Sequence, residues 1–390
     1  MPADGASRTS DPTTVTTPAH RQAPGSLLTQ PEPIQLPVDP IPALVPPFVP
    51  RRYLRNGHLQ TLAGNFLPRH LTLPEPESLF VEVEGPVDEY GPTQILCHCH
   101  WQPVEVRRRR LTIVLVHGLE GSSRSQYIIG NTTRALAAGC NVVRMNMRSC
   151  GGTDHLSPTI YHSGRSGDVA RVLSRILSDQ QLESIALVGY SMGGNLVLKL
   201  LGEYADAPPP QLKSVVGISP LMDLTPSSAA LHEPANRIYE WHFLRNMRRR
   251  LHCKAKLFPR LYQPALKAPL HTMREFDEHI VARYGNFRDA DDYYTTVASS
   301  QYASTFRVPT LILHSTDDPF IRMLPSTRAA LLANPHVTFV ETTHGGHCAF
   351  LTDPGPSANR ATQVSPRDGY WAEHLLLNYL LHQSGHSHGS

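Results

Sequence analysis

The chain is poor in the features that would place it in several large classes. Only six cysteines stand in its 390 residues, Cys97, Cys99, Cys140, Cys150, Cys253 and Cys348, and no two are spaced as CxxC. That sparseness excludes a disulfide framework and a structural zinc ribbon, and a reducing, cytoplasmic setting is expected. Long apolar runs are also missing. The strongly apolar stretch 111–116 falls far short of the roughly 20 residues that a membrane-spanning helix needs. The N-terminus has no basic patch followed by an apolar segment, so neither a secretory signal nor a membrane anchor is expected. Charge of one sign is lacking too, with 36 Lys+Arg against 33 Asp+Glu, which leaves no global field for a nucleic-acid partner. Cys97-His98-Cys99-His100 contains metal-ligand types. An extended strand, however, turns alternate side chains to opposite faces and parts the thiols from the imidazoles. No metal and no cofactor are expected.

Proline, by contrast, is plentiful at one end. Twelve of the 35 prolines lie in the first 50 residues, among many Ser, Thr and Gln. Such a stretch neither holds a helix nor buries a core, so 1–50 reads as a disordered Pro-rich arm. Residues 51–382 have the composition of a globular domain, and 383–390, with His386 and His388, read as a solvated tail. Within the domain, β-branched runs at 111–116, 141–146, 184–189, 213–218, 310–314 and 337–341 alternate with helical patterns at 127–138, 168–177, 192–204 and 370–381. That alternation predicts an α/β fold with a mostly parallel sheet flanked by helices. Segments 79–84 and 94–101 are expected as an antiparallel edge pair. From 221 to about 306 the alternation stops, which marks a helical insertion.

The chemistry is concentrated in three loops. Gly189-Tyr190-Ser191-Met192-Gly193 is a G-x-S-x-G sequence directly after a predicted strand and before a predicted helix. A sharp strand-to-helix turn of this kind strains the serine backbone, and side chains two positions to either side would collide with it. Ser191 is therefore the candidate nucleophile, and it needs a histidine base held by a carboxylate. The strand at 310–314 runs into Asp317-Asp318-Pro319, and the strand at 337–341 runs into His344-Gly345-Gly346-His347. Asp318 is preferred as the acid because it lies one step further out of the strand, with Asp317 as the alternative. His347 is preferred to His344 because two glycines present it. The oxyanion donors are expected from the backbone N–H of Met192 and from that of Leu119, in the loop His117-Gly118-Leu119-Glu120-Gly121.

These residues together resemble the α/β-hydrolase superfamily, and longer strings resemble its YheT-like branch. They are Asn56-Gly57-His58-Leu59-Gln60-Thr61-Leu62, His117-Gly118-Leu119-Glu120-Gly121-Ser122-Ser123, Arg144-Met145-Asn146-Met147-Arg148, the stretch from Gly189 to Asn195, Asp317-Asp318-Pro319-Phe320 and His344-Gly345-Gly346-His347. The resemblance covers about 51–381 and implies an α/β-hydrolase fold with a helical lid and a triad at Ser191, Asp318 and His347. It also implies action on esters, with acylglycerols and phospholipids among the substrates of such proteins. The chain departs from the family pattern in Arg148-Ser149-Cys150, with serine where glycine is usual, and in Cys97 to Trp101, which replaces a more acidic strand. Both departures bear on substrate preference.

The expected activity is serine-dependent cleavage of short- to medium-chain acyl esters through an acyl-enzyme. Acyl transfer or thioester cleavage on the same triad, and a non-catalytic scaffold, are the alternatives. Within the lid, Ile238, Trp241, Leu244, Met247 and Leu251 recur at helical spacing, flanked by Arg245, Arg248, Arg249, Arg250, Lys254 and Lys256. The stripe predicts an apolar pocket wall, and the cations predict a rim for peripheral membrane contact or a carboxylated small-molecule ester.

Overall fold

The computed structural model describes residues 47–85, 90–354 and 368–385. The arm expected over 1–50 lies, up to residue 46, outside the described residues, as do His386 and His388.

Strands β1 (Glu77–Glu82), β2 (Gln94–His100), β3 (Thr112–Val116), β4 (Asn141–Met145), β5 (Ile185–Tyr190), β6 (Leu212–Ile218), β7 (Thr310–Ser315) and β8 (Val337–Thr342) form one eight-stranded sheet. Its order is β1-β2-β4-β3-β5-β6-β7-β8. The first two strands pair antiparallel, β2 continues antiparallel onto β4, and every other pairing is parallel. The central strands are buried along their whole length because helices cover both faces, which is why β3 and β5 read as largely apolar runs while β4 carries buried Asn141 and Arg144 among its apolar residues.

Alternation along those strands sorts the core into two layers. Ile113, Leu115, Val142 and Val188 point to one face and pack with Ile128 of α2 (Gln126–Ala137) and Leu376 and Leu380 of α5 (Trp371–Gln383). Val114, Val116, Val143 and Leu187 point to the other, against Val172 and Ile176 of α3 (Ser166–Gln180) and Leu196 and Leu200 of α4 (Met192–Tyr204). A short helix, α1 (Gly57–Phe66), precedes the sheet. Residues 219–309, between β6 and β7, carry only helical segments and connecting loops, the longest helix being Arg237–Leu257. No helix among the described residues is long and apolar enough to cross a membrane.

On β2, Cys97 and Cys99 enter the core, and burial holds both thiols well above their ordinary range, Cys99 at about 12. His100 instead meets Arg144, with Nε2 at 3.0 Å from Nη2. Among the described residues, no group of three His, Cys, Asp or Glu side chains is placed to hold a metal.

A buried ion pair ties the loop after β4 to α3. Arg148 reaches Asp168 through Nε at 2.7 Å and Nη2 at 2.5 Å, with side-chain exposures of 1% and 5%. Arg148→Ala would leave the Asp168 carboxylate buried without its hydrogen-bonded counter-charge, with only the more distant Arg165 charge acting on it, so it should cost about 3 kcal/mol in urea unfolding. A loss below about 1 kcal/mol would show that water compensates the acid. The next residue, Ser149, has a φ of 65°, in the left-handed region that favours glycine. Its hydroxyl donates to Thr159 O at 3.2 Å, a bond that glycine lacks.

Candidate active site

The nucleophile stands on a strained backbone. Ser191 sits between β5 and α4 with φ 54° and ψ −118°, and it is almost fully buried. Its N–H donates to Ile218 O at 2.9 Å, and its carbonyl accepts from Asn195 and Leu221, each at 3.1 Å. These ties hold a conformation that the residue alone would avoid. A Cβ on Gly193 would strike the carbonyl oxygens of Val116 and His117, and one on Gly189 would strike the Gly193 backbone. The spacing of the motif is thus a packing requirement of the turn.

The acid and base meet at the carboxyl ends of the last two strands. His347 Nδ1 lies 2.7 Å from Asp318 Oδ2, and Asp318 Oδ1 accepts from the N–H groups of Phe320 at 3.1 Å and Ile321 at 2.9 Å. Burial pushes the Asp318 carboxyl upward, but His347, His314 and the Ile321 N–H outweigh it and leave the group below its ordinary range. Burial likewise pulls His347 down, and the Asp318 charge and the neighbouring Cys348 leave the ring raised. The adjacent acid does other work. Asp317 Oδ1 accepts from Gly346 N at 2.9 Å, and its Oδ2 lies 3.5 Å from His344 Nδ1. Consecutive carboxylates therefore face two different histidines, and only the Asp318–His347 pair stands beside Ser191's cavities.

His347 Nε2 faces Cys348 Sγ at 3.6 Å, while Ser191 and His347 line the same wide cavity. Among the described residues, Ser191 Oγ makes no hydrogen bond. Such slack is common before substrate is bound.

Backbone N–H groups at the loop after β3 are assigned one by one. Gly118 N donates to Tyr127 OH at 2.9 Å and Glu120 N to Tyr161 OH at 3.0 Å. Leu119 N, between them, has no partner among the described residues, and Met192 N opens α4. His117 is fully enclosed and its pKa is lowered to about 4 by burial, so it is neutral. Its Nε2 accepts from Met147 N at 3.1 Å, which leaves Nδ1 to donate to Gly118 O at 2.8 Å.

Sequence reasoning gave no role to several residues that hold this arrangement. Thr61 on α1 accepts from His347 N at 2.8 Å and donates to Gly57 O at 2.7 Å. Gln60 bonds both backbone groups of Leu351, at 2.9 and 3.0 Å. The available signal was Asn56, whose side chain caps the helix by accepting from His58 and Leu59 N–H.

Two cavities meet at Ser191. A narrow one of about 100 Å³ is lined by Leu119, Ser191, Met192, Leu224, Met247 and Phe320 among others. A wide one of about 580 Å³ holds Ser191, His347, Tyr239 and Trp241 in its wall. The lid helix corrects two expectations. Leu244, Met247 and Leu251 are buried as the stripe predicted, but Ile238 and Trp241 are 63% and 61% exposed, because the first turns of Arg237–Leu257 overhang the wide cavity. The basic flank is largely occupied. Arg250 pairs with Glu120 at 3.1 Å and reaches Ser149 O, Arg248 reaches Leu270 O, and Lys254 is wholly buried on Asp154 O and Ser157 O. Burial lowers the Lys254 ammonium to about 7. Only Arg245, Arg249 and Lys256 of that flank stay exposed. Arg250, through Glu120, instead braces the loop that carries Leu119.

Comparison with known proteins bears on the fold and the family. The alpha/beta hydrolase fold family matches residues 112–354. The putative esterase YheT of Escherichia coli is 30% identical over 78% of this chain and 87% of its own length. The bovine phospholipase ABHD3 is 25% identical over 72% of this chain, which spans 65% of that protein. A monoacylglycerol lipase of Saccharomyces cerevisiae is 24% identical over 62% of this chain and 55% of its own length.

Proposed function

The chain belongs to the α/β-hydrolase family, in its YheT-like branch, and is an ester hydrolase; from that premise we propose that it cleaves carboxylic esters with Ser191 as nucleophile, His347 as base and Asp318 as orienting acid. The observation that carries this reading is the 2.7 Å Asp318–His347 bond beside a cavity shared by His347 and Ser191. Ser191 Oγ gives its proton to His347 Nε2 and attacks the ester carbonyl. The N–H groups of Leu119 and Met192 bind the oxyanion, and the imidazolium, steadied by Asp318, protonates the departing alcohol. Water, activated by the same ring, then releases the acid and frees the serine.

The two cavities divide the substrate. His347, which must reach the leaving oxygen, lines only the wide cavity, so the alcohol part belongs there. Met192 lines only the narrow one, which takes the acyl part. The mouth of the wide cavity carries Phe66, Ile238 and Trp241 at 73%, 63% and 61% exposure. Apolar side chains displayed around a lipid-sized opening support acylglycerols or phospholipids as substrates and an apolar contact with their surface.

The test is a panel of p-nitrophenyl esters and monoacylglycerols of graded acyl length, run on wild type and on the Ile238→Ala, Trp241→Ala double variant. Activity should be greatest on short acyl groups, because the narrow cavity is only about 100 Å³. Each truncated side chain gives up part of the roughly 1.5–3 kcal/mol that burial in a lipid surface supplies. The double variant should therefore lose about tenfold more on monoacylglycerol micelles than on a soluble short ester. Equal losses on both would remove the surface-contact part of the proposal.

A further inference from the structure

The narrow cavity is not uniformly apolar. Among Leu224, Met247 and Phe320 it also exposes a chain of three polar groups. Ser228 Oγ donates to Tyr294 OH at 3.0 Å, and Tyr294 OH donates to Asp277 Oδ2 at 2.7 Å. The second carboxyl oxygen of Asp277 has no protein partner among the described residues. Arg274, the cation acting on it, is committed to Asp291 at 2.8 Å. Asp277 also opens a π-helical turn, Asp277–Ala282, and such turns recur at functional sites.

That second carboxyl oxygen is not sealed in protein, since Asp277 is half-buried and lines the cavity, so a ligand entering the cavity can complete its hydrogen bonding. Burial raises the Asp277 carboxyl against the Tyr294 bond and the Arg274 charge, which narrows the gap between its ionised and protonated forms. A hydroxyl suits both, since it donates to the carboxylate and accepts from the acid. A second carboxylate is repelled by the ionised form, and a methyl group completes nothing. The cavity, at about 100 Å³, is smaller than the ~150 Å³ that admits benzene, which leaves room for about four chain atoms.

The geometry points to Asp277 and Tyr294 as the specificity-determining pair of the acyl pocket, and to esters of short acids bearing a hydroxyl at the far end of the chain as the substrates they select. This inference rests on the reading that Ser191 is acylated from the narrow cavity.

The experiment compares methyl 4-hydroxybutanoate with methyl pentanoate, in which a methyl group replaces the hydroxyl at equal length, using acid release by the full chain. Wild type should favour the hydroxy ester in kcat/KM by about tenfold or more, since a site built for a hydroxyl rejects the analogue lacking it. Asp277→Leu should lower that ratio at least about tenfold, the hydroxy ester falling much further than the pentanoate. Tyr294→Phe, which keeps the ring and frees the carboxyl, should lower the ratio in the same direction and carries the test should Asp277→Leu not fold. A merely structural tie would lower both esters together and leave the ratio unchanged, which overturns the inference. So does a wild-type enzyme that prefers pentanoate. Turnover of neither ester, with no labelling of Ser191 by a fluorophosphonate, defeats the Ser191 reading itself.

Discussion

Ser191→Ala should lower ester hydrolysis by about six orders of magnitude and abolish labelling by a fluorophosphonate probe. The size of the effect follows from what remains. Without Oγ no acyl-enzyme forms, and the Leu119 and Met192 donors and the two cavities retain only binding and oxyanion stabilisation, which leave roughly 10³–10⁴ over water. Ser191→Gly makes a companion measurement that activity alone cannot supply. The φ of 54° strains any residue with a Cβ, so glycine should be equally inactive yet more stable to heat, by an amount on the order of 1 kcal/mol. A gain in stability with loss of activity would identify the turn as strain kept for function. Cys348 is the competing nucleophile, because its Sγ lies 3.6 Å from His347 Nε2. Labelled peptide containing Cys348 in place of Ser191 would move the assignment.

Much of this site is legible in the sequence because its physics is local. The strands β3 and β5 are short, largely apolar runs buried on both faces, and β4 is a β-branched run of the same kind interrupted by Arg144. The elbow is legible because sterics around Ser191 permit little but glycine at two neighbouring positions. Adjacent Asp317 and Asp318 are harder. Alternation says that they diverge but not which one turns inward, and the contacts that turn Asp318 toward His347, the N–H groups of Phe320 and Ile321, belong to the loop beyond the strand. The lid helix misleads for a different reason. Helical spacing groups Arg250 and Lys254 with the exposed cations, and nothing nearby in sequence reveals that Glu120, Ser149, Asp154 and Ser157 await them about a hundred residues upstream. The role of Thr61 is hidden in the same way, since its partner His347 is 286 residues away. Asp277, Tyr294 and Ser228 share no period at all, and only the folded lid brings them to one cavity.

Asp318→Asn should lower kcat by about four orders of magnitude, whereas Asp317→Asn should cost less than about tenfold. Asparagine fits the space but presents an amide where His347 Nδ1–H needs an acceptor, so the ring loses its tautomer and its imidazolium loses a counter-charge. Among the described residues the Asp317 carboxylate makes a bond to Gly346 N and a loose approach to His344, neither of which reaches the reacting atoms. The pH profile separates the two acids further. The active ring is neutral, so kcat/KM rises with pH through the pKa of His347, which in the wild type is raised above the ordinary 6.5 by Asp318 and Cys348 against the opposing pull of burial. The acid limb of the wild type should therefore lie above pH 6.5. Removing the Asp318 charge leaves burial to dominate, and the limb should move downward in Asp318→Asn while staying in place in Asp317→Asn. A limb that moves only in Asp317→Asn would mean that Asp317 holds the base when substrate is turned over, and the 2.7 Å pair would then be a resting arrangement.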